Sequence, residues 1–189
     1  MSQSIDRPMV VAVVGSPRPK GNTSILVDVA LSELERRGVA VNKLMLCDYQ
    51  ITPCLGHDTC GDLEQCPQGD DAERVLATVY AADGLLLATP VYYENVSAQM
   101  KAFIDRNVFH YAHDVFLTPK VVGLMAVTAE TGLDDTLAAL RRFVALSTEG
   151  DLPIFSMGGL ADTAGAAAGD VALLSAARRL GADMAGALL

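Results

Sequence analysis

Short apolar stretches that alternate with helix-like segments constrain the fold of this chain more than any other feature. Residues 9–14, Met-Val-Val-Ala-Val-Val, form a continuous apolar run that Gly15 closes, which is the pattern of a strand buried on both faces. From 23 to 37, apolar residues recur at helical spacing, and Gly38 follows as a natural C-terminal cap. The chain is therefore expected to begin with a buried strand followed by a helix.

The same alternation continues along the chain. It predicts four further strands and four further helices, at 39–46, 85–88, 121–127 and 152–155, and at 71–82, 97–106, 134–146 and 170–187, respectively. Strands separated by helices of this length require right-handed crossovers, so we expect a mostly parallel sheet with helices on both faces. Ligands of such sheets bind beyond the carboxyl ends of the strands, which here means the loops after Gly15, Thr89 and Val127.

Size and charge narrow the function classes. The 189 residues fit a single domain spanning 1–189, with a cysteine-bearing loop at about 52–70 and a mobile Gly/Ala-rich loop at 158–169. A net charge of −9 opposes nonspecific binding to nucleic acid and to anionic lipid. The N-terminus lacks the pattern of a secretory signal, and the longest purely apolar run is too short to span a bilayer. We therefore expect a cytoplasmic protein with neither nucleic-acid nor membrane partners.

The loop after the first strand reads Gly-Ser-Pro-Arg-Pro-Lys-Gly-Asn-Thr-Ser over residues 15–24. It leads into a helix N-terminus, where unpaired N–H groups and the positive end of the helix dipole favour an anion. Polar and cationic side chains add further donors, namely Ser16, Asn22, Thr23, Ser24, Arg18 and Lys20. The Walker and Rossmann spacings are absent, and no cysteine has the spacing to an arginine that a phosphatase loop requires. The loop indicates a phosphate cradle, and a turn that serves only the fold is the alternative.

The loop after the third strand, residues 89–97, reads Thr-Pro-Val-Tyr-Tyr-Glu-Asn-Val-Ser and places two tyrosines side by side. Pro90 restricts the backbone, and the tyrosines with Asn95 offer a flat, partly polar surface suited to an aromatic ring with polar edges. The alternative is that the tyrosines only plug the end of the sheet. Two loops at one sheet edge, one suited to phosphate and one to a ring, favour a ligand that has both.

Residues 15–24 and 89–106 closely resemble the flavodoxin-like NAD(P)H-dependent FMN reductase family, including its iron–sulfur flavoprotein branch. The resemblance implies an α/β fold of three αβα layers around a five-stranded, doubly wound parallel sheet in the order 2-1-3-4-5. It also implies bound FMN, NAD(P)H as electron donor, and a small-molecule acceptor such as a flavin, a quinone or a small aromatic. A homodimer or homotetramer is the assembly that the family implies.

The same resemblance assigns the site residues. The first loop would hold the FMN phosphate through Ser16, Arg18, Asn22, Thr23 and Ser24. The ring would be lined by Pro90, Val91, Tyr92, Tyr93, Glu94 and Asn95, and by Thr128 in a third, weakly matching loop. Glu94 stands where relatives often carry a small residue, and a carboxylate near the ring would disfavour an anionic reduced flavin.

The predicted activity is two-electron hydride transfer from NAD(P)H through FMN to a second acceptor. Because the cofactor supplies the reactive atom, no catalytic side chain is predicted. Two alternatives stay open: an iron–sulfur flavoprotein that oxidises a specific small metabolite, and a flavodoxin-type carrier that hands electrons to protein partners.

A cysteine-rich segment is the remaining candidate site. The iron–sulfur branch typically carries four cysteines after the second strand, whereas this segment contains three cysteines and one histidine, Cys54, His57, Cys60 and Cys66. Such a set can bind an iron–sulfur cluster or a zinc ion. The third interpretation is a degenerated motif that binds no metal. Cys47, in the second predicted strand, is expected to be a small buried hydrophobe.

Overall fold

The computed structural model describes residues 7–189 of the chain. Five parallel strands form one sheet in the order β2-β1-β3-β4-β5. The strands are β1 (Met9–Val14), β2 (Ala40–Met45), β3 (Gly84–Pro90), β4 (Val121–Thr128) and β5 (Ile154–Leu160). This order confirms the predicted doubly wound, flavodoxin-like architecture.

Helices cover both faces of the sheet. Within residues 7–189 they are α1 (Asn22–Arg36), α2 (Ala72–Tyr80), α3 (Ala98–Arg106), α4 (Val108–Tyr111), α5 (Leu133–Ser147) and α6 (Val171–Leu188). The α1 and α6 helices pack on one face, and α2, α3 and α5 pack on the other. The periodicity of the sequence predicts all of these except α4, which is a single turn.

Strand β1 shows why this sequence forms a three-layer fold. Val10, Ala12 and Val14 pack towards α1 and α6, whereas Val11 and Val13 pack towards α2, α3 and α5. Successive side chains of a strand point to opposite faces, so a strand covered on both sides must be apolar throughout. The burial of these two apolar layers is the main force that holds the sheet and the helices together.

Two local predictions are wrong. The Gly/Ala-rich stretch is not all loop, because β5 extends to Leu160 and residues 166–169 form a 3₁₀-helix. Gly158 and Gly159 pair with Ala126 and Val127 of the neighbouring strand β4, and this pairing extends the strand. Cys47 is exposed and lies in a 3₁₀ turn, because β2 ends at Met45.

Three other predictions concern the N-terminus, membrane-spanning helices and the number of domains. Residues 1–6, on which part of the prediction of no secretory signal depends, lie outside the described residues. Within residues 7–189, no helix combines the length and the hydropathy that a membrane crossing requires. The assignment to a single domain stays a prediction.

Candidate active site

The first loop ends at a helix N-terminus that no side chain caps. Gly21 precedes α1 with extended backbone, and within residues 7–189 no side chain accepts a hydrogen bond from the first-turn N–H groups. A cavity of about 150 Å³ lies here, lined by Ser16, Arg18, Gly21, Asn22 and Thr23. Free donors at the positive end of a helix dipole favour an anion at this place.

Hydrogen bonds within the first loop set which side chains reach the cavity. The Ser16 hydroxyl accepts a hydrogen bond from the Arg18 N–H and donates one to the Arg18 carbonyl, both at 3.2 Å. Ser24 is directed elsewhere, because its hydroxyl donates to the Pro19 carbonyl at 2.6 Å and accepts from Lys43 Nζ at 2.7 Å. Both serines therefore stabilise the loop, and of the two only Ser16 lines the cavity.

Part of the predicted Gly/Ala-rich loop, which the sequence did not assign to the site, also lines the cavity. Its lining residues follow β5 and are Ala161, Asp162, Thr163 and Ala164. Asn22 holds this loop, since its amide donates to the carbonyls of Ala161 at 3.3 Å and Thr163 at 2.8 Å, and its carbonyl oxygen accepts from the Ala167 N–H at 3.2 Å. Both the amide nitrogen and the carbonyl oxygen of the Asn22 side chain are thus occupied by hydrogen bonds within the protein. The position of this loop directly after a strand was the sequence feature that could have indicated this role. The sequence pattern predicts that β5 ends at 155, whereas the strand continues to Leu160, so residues 161–164 did not directly follow a predicted strand.

The ends of β3 and β4 and the loops that follow them complete the cavity. Their lining residues are Pro90, Val91, Tyr92, Val127, Thr128 and Ala129. The Val91 N–H donates to the Val127 carbonyl at 2.8 Å, which continues the pairing of β3 with β4 beyond the strand. The structure therefore brings the predicted phosphate loop and the start of the predicted ring loop to one cavity.

A tight turn from Tyr92 to Asn95 forms the tip of the second loop. The Tyr92 N–H donates to the Asn95 carbonyl at 2.9 Å, and the Asn95 N–H donates to the Tyr92 carbonyl at 3.1 Å. The two central residues, Tyr93 and Glu94, have φ angles of 49° and 57°, values of a type I′ turn that usually favours Asn-Gly. Tyr92 lines the cavity, whereas Tyr93, Glu94 and Asn95 do not, and the Tyr93 side chain is fully exposed.

Glu94 joins this turn to the loop after β4. Its carboxylate accepts a hydrogen bond from the Thr131 hydroxyl at 3.1 Å, and the Thr131 carbonyl accepts one from the Thr128 hydroxyl at 2.6 Å. The two backbones also meet closely, since a Cβ atom on Gly132 would lie 2.5 Å from Glu94 Cα. The loops after β3 and β4 therefore hold each other in place.

Ser97 connects the first two loops from below. Its buried hydroxyl donates to the Gly15 carbonyl at 2.6 Å and caps α3 by accepting from the Met100 N–H at 3.2 Å. Its own N–H donates to Thr89 Oγ1 at 3.0 Å. A Cβ atom on Gly15 would lie 2.8 Å from Ser97 Oγ, so only glycine fits beside this serine. Ser97 thus fixes the end of β1 relative to the end of β3.

The structure does not bring together the predicted metal ligands Cys54, His57, Cys60 and Cys66. In the described part of the chain, no three His, Cys, Asp or Glu side chains are placed to hold a metal ion. Cys66 Sγ accepts a hydrogen bond from the Arg106 guanidinium at 3.2 Å, and Cys54 Sγ accepts one from the Gly56 N–H at 3.4 Å. As folded, the segment fits neither an iron–sulfur cluster nor a zinc ion.

A buried ion pair anchors the cysteine-rich segment instead. Arg106 contacts the Asp70 carboxylate at 2.6 Å, with both side chains almost fully buried, and donates to the Thr52 carbonyl at 3.2 Å. Burial by itself raises the pKa of Asp70, but hydrogen bonds from Arg106 and Thr52 outweigh it and hold that pKa well below its ordinary value. The segment is therefore attached to the end of α3, the helix that begins beside the cavity.

Comparison with known proteins decides the family. Residues 8–150 match the NADPH-dependent FMN reductases. The chain belongs to this family. An iron-sulfur flavoprotein of Archaeoglobus fulgidus is 40% identical over 144 residues, which are 76% of this chain and 64% of the relative. An iron-sulfur flavoprotein of Methanocaldococcus jannaschii is 40% identical over 98 residues, which are 52% of this chain and 51% of the relative. The matches thus span between half and two thirds of the length of these curated relatives.

Solved structures share the fold of this FMN reductase family member. RosB with a bound intermediate, 8-demethyl-8-formylriboflavin-5'-phosphate, superposes with a TM-score of 0.76 at 16% identity, covering 96% of this chain and 79% of RosB. The NAD(P)H:quinone oxidoreductase from Methanothermobacter marburgensis superposes with a TM-score of 0.69 at 17% identity, covering 93% and 96% of the two chains. These likenesses confirm the flavodoxin-like fold.

Proposed function

We propose that this protein is an FMN-dependent oxidoreductase that passes two electrons from NAD(P)H to a small-molecule acceptor, namely a quinone, a free flavin or a small aromatic. The proposal stands on one observation: an uncapped helix N-terminus and a tyrosine-bearing loop line the same cavity at the carboxyl edge of the sheet. Family membership supports FMN as the cofactor. With a quinone as acceptor, NAD(P)H, one proton and the quinone are consumed, and NAD(P)⁺ and the hydroquinone are formed.

The cavity residues fit the phosphate end of FMN. The first-turn N–H groups of α1, the Thr23 hydroxyl and the Arg18 guanidinium would bind the phosphate, while Ser16, whose hydroxyl is bonded to the Arg18 backbone, holds the loop that carries Arg18. The cavity of about 150 Å³ is smaller than the roughly 300–1,000 Å³ of pockets that enclose a whole ligand. We therefore assign the phosphate and the adjoining chain to the cavity, and the ring to its open mouth beside Tyr92 and Thr128.

The protein's own part in the reaction is to position the ring and to exclude water. When bound, FMN supplies the chemistry, since it accepts a hydride from the nicotinamide and passes two electrons onward. Pro90, Val91 and Tyr92 offer apolar surface at the mouth. Ser97 and Gly132 hold the loops that carry this surface. We assign no side chain to proton transfer.

The direct test is turnover by the FMN-loaded protein. We expect the protein to bind FMN stoichiometrically. We also expect it to oxidise NADH or NADPH only when naphthoquinone is added, and the loss of nicotinamide absorbance measures this oxidation. The apoprotein serves as the control. Failure to bind FMN would overturn the proposal. FMN binding with negligible NAD(P)H oxidation would instead indicate an electron carrier of the flavodoxin type.

Arg18→Ala should weaken FMN binding by roughly 10–100-fold, because a charged hydrogen bond to the phosphate contributes about 1.5–3 kcal/mol. Arg18 is exposed to solvent, so the fold should be retained. Lys20→Ala is the matched control, since Lys20 is an exposed cation of the same loop that does not line the cavity. Titration of each apoprotein with FMN, followed by flavin fluorescence, gives the affinities. Equal losses in both variants would contradict the assigned role of Arg18.

We also propose that the protein assembles as a homodimer or homotetramer. Exposed apolar side chains border a groove between α3, α4 and α5, among them Val108, Tyr111 and Leu146, and such patches are typical of protein interfaces. Light scattering after size-exclusion chromatography measures the mass, and a monomer at micromolar concentration would contradict the proposal. Cytoplasmic localisation stays a prediction from the sequence.

A further inference from the structure

Glu94 has an unusual backbone conformation in the turn that follows the cavity-lining Tyr92. It is the second of two consecutive residues with positive φ in the turn from Tyr92 to Asn95, where asparagine and glycine are the usual residues. Non-glycine residues persist in left-handed conformations where surrounding contacts hold them there. Here those contacts come from Thr131 and Gly132.

The same contacts determine where the carboxylate lies. The Thr131 hydroxyl donates to Glu94 Oε1 at 3.1 Å, and Thr131 is bonded through its carbonyl to the hydroxyl of Thr128. Thr128 lines the cavity, as does Tyr92, which precedes Glu94 by two residues. The Glu94 carboxylate therefore lies between the two loops that carry Tyr92 and Thr128, the residues beside which we assign the ring.

Within residues 7–189, no cation pairs directly with the Glu94 carboxylate. In the described part of the chain, neither Glu94 nor Glu130, the residue before Thr131, has a Lys, Arg or His nitrogen within 4.0 Å of its carboxylate. At the helix end, by contrast, Arg18 and Asp162 line the cavity with one charge of each sign. Glu94 therefore contributes a negative charge without a direct ion pair beside the loops to which we assign the ring.

We propose that Glu94 sets the charge specificity for the electron acceptor, so that neutral aromatic acceptors are favoured over anionic ones. The inference rests on the proposed function, because it concerns the second substrate of that reaction. At a separation of about 10 Å, a carboxylate and a singly charged acceptor repel each other enough to change binding roughly two- to fourfold at low ionic strength. Salt weakens this effect, since charges that far apart are screened at physiological ionic strength.

The test uses the FMN-loaded protein and two acceptors that differ by one charge, naphthoquinone and naphthoquinone sulfonate. The values of kcat/KM for both are measured in the wild type and in Glu94→Gln, which keeps the size of the side chain and an acceptor for the Thr131 hydroxyl. We expect the ratio of kcat/KM for the sulfonate to that for the neutral quinone to rise roughly two- to fourfold at an ionic strength of about 0.01 M. The rise should shrink at about 0.15 M. Effects on NAD(P)H cancel in this ratio.

A control variant tests whether the place of the charge matters. Glu35→Gln removes the same charge from an exposed position at the far end of α1 and should leave the ratio unchanged. Equal flavin content shows that each variant is folded.

The outcomes distinguish this inference from the function on which it rests. If Glu94→Gln and the wild type reduce both quinones with the same ratio, the role of Glu94 is overturned and the proposed function stands. An equal shift in Glu35→Gln would also overturn it, because the overall charge of the protein, and not the place of Glu94, would then set the preference. If the wild type reduces neither quinone with NADH or NADPH, the proposed function fails together with this inference.

Discussion

Arg106→Met should lower the free energy of unfolding by about 3–5 kcal/mol, because it leaves the buried Asp70 carboxylate without its partner. The matched control is Lys101→Met on the same helix, whose ion pair with Asp105 is exposed and should contribute only about 0–1 kcal/mol. Urea unfolding followed by circular dichroism measures both. Similar small losses in the two variants would show that the buried pair does not anchor the cysteine-rich segment.

The same pair gives a pH dependence with a defined sign. The pKa of Asp70 is lowered in the folded protein, so its stabilisation is complete above the unfolded value of about 3.9 and is lost as the pH falls through the folded value. In Arg106→Met the buried carboxylate keeps its hydrogen bonds from Thr52 and Ala72 but loses its cationic partner, and protonation relieves the resulting penalty. The difference in unfolding free energy between the two proteins should therefore narrow below about pH 4. A difference that does not change with pH would contradict this assignment.

Gly132→Ala should both destabilise the protein and weaken FMN binding. Gly132 has a φ of 83°, and a Cβ atom there would lie 2.5 Å from Glu94 Cα. The left-handed backbone costs about 1–2 kcal/mol, and the overpacking adds about 1–3 kcal/mol. Relief of the clash requires the loops after β3 and β4 to separate, which disturbs the proposed ring site. Chemical unfolding and FMN titration measure the two effects.

Gly150→Ala is the control for the backbone part of that effect. Gly150 has a similar φ of 74°, but a Cβ atom there would meet nothing within 4 Å. Its substitution should cost only about 1–2 kcal/mol and leave FMN affinity unchanged. If the two alanine variants were equally stable and bound FMN equally well, the contact between Gly132 and Glu94 would have no role in holding the loops.

The order of the strands and helices could be predicted because the residue pattern of each strand indicates whether one or both of its faces are buried. A run such as Val10 to Val14 is apolar at every position only when both faces are covered, and this implies the three layers. The phosphate loop could also be predicted from the sequence, because residues 15–24 are contiguous and lead directly into a helix. The resemblance of this loop and of the tyrosine-bearing loop to the FMN reductase family then indicated FMN as the ligand that both loops would bind.

The extent of β5 and the residues beyond it could not be predicted. Gly158 and Gly159 have low strand propensity, and they continue the strand only because β4 supplies hydrogen-bond partners. The loop after β5 reaches the cavity only because Asn22, far away in sequence, holds it. A pattern read along one segment contains no information about such a partner.

The sequence alone thus determined the layers of the fold and the loops that end at one edge of the sheet, because periodicity and contiguous motifs are local properties. Only the tertiary structure showed that Arg106 holds the cysteine-rich segment and that Glu94 joins the loops after β3 and β4. Cys66 meets Arg106 across 40 residues of sequence, and Glu94 meets Thr131 across 37. Contacts of this kind depend on how distant segments pack, and no local pattern specifies them.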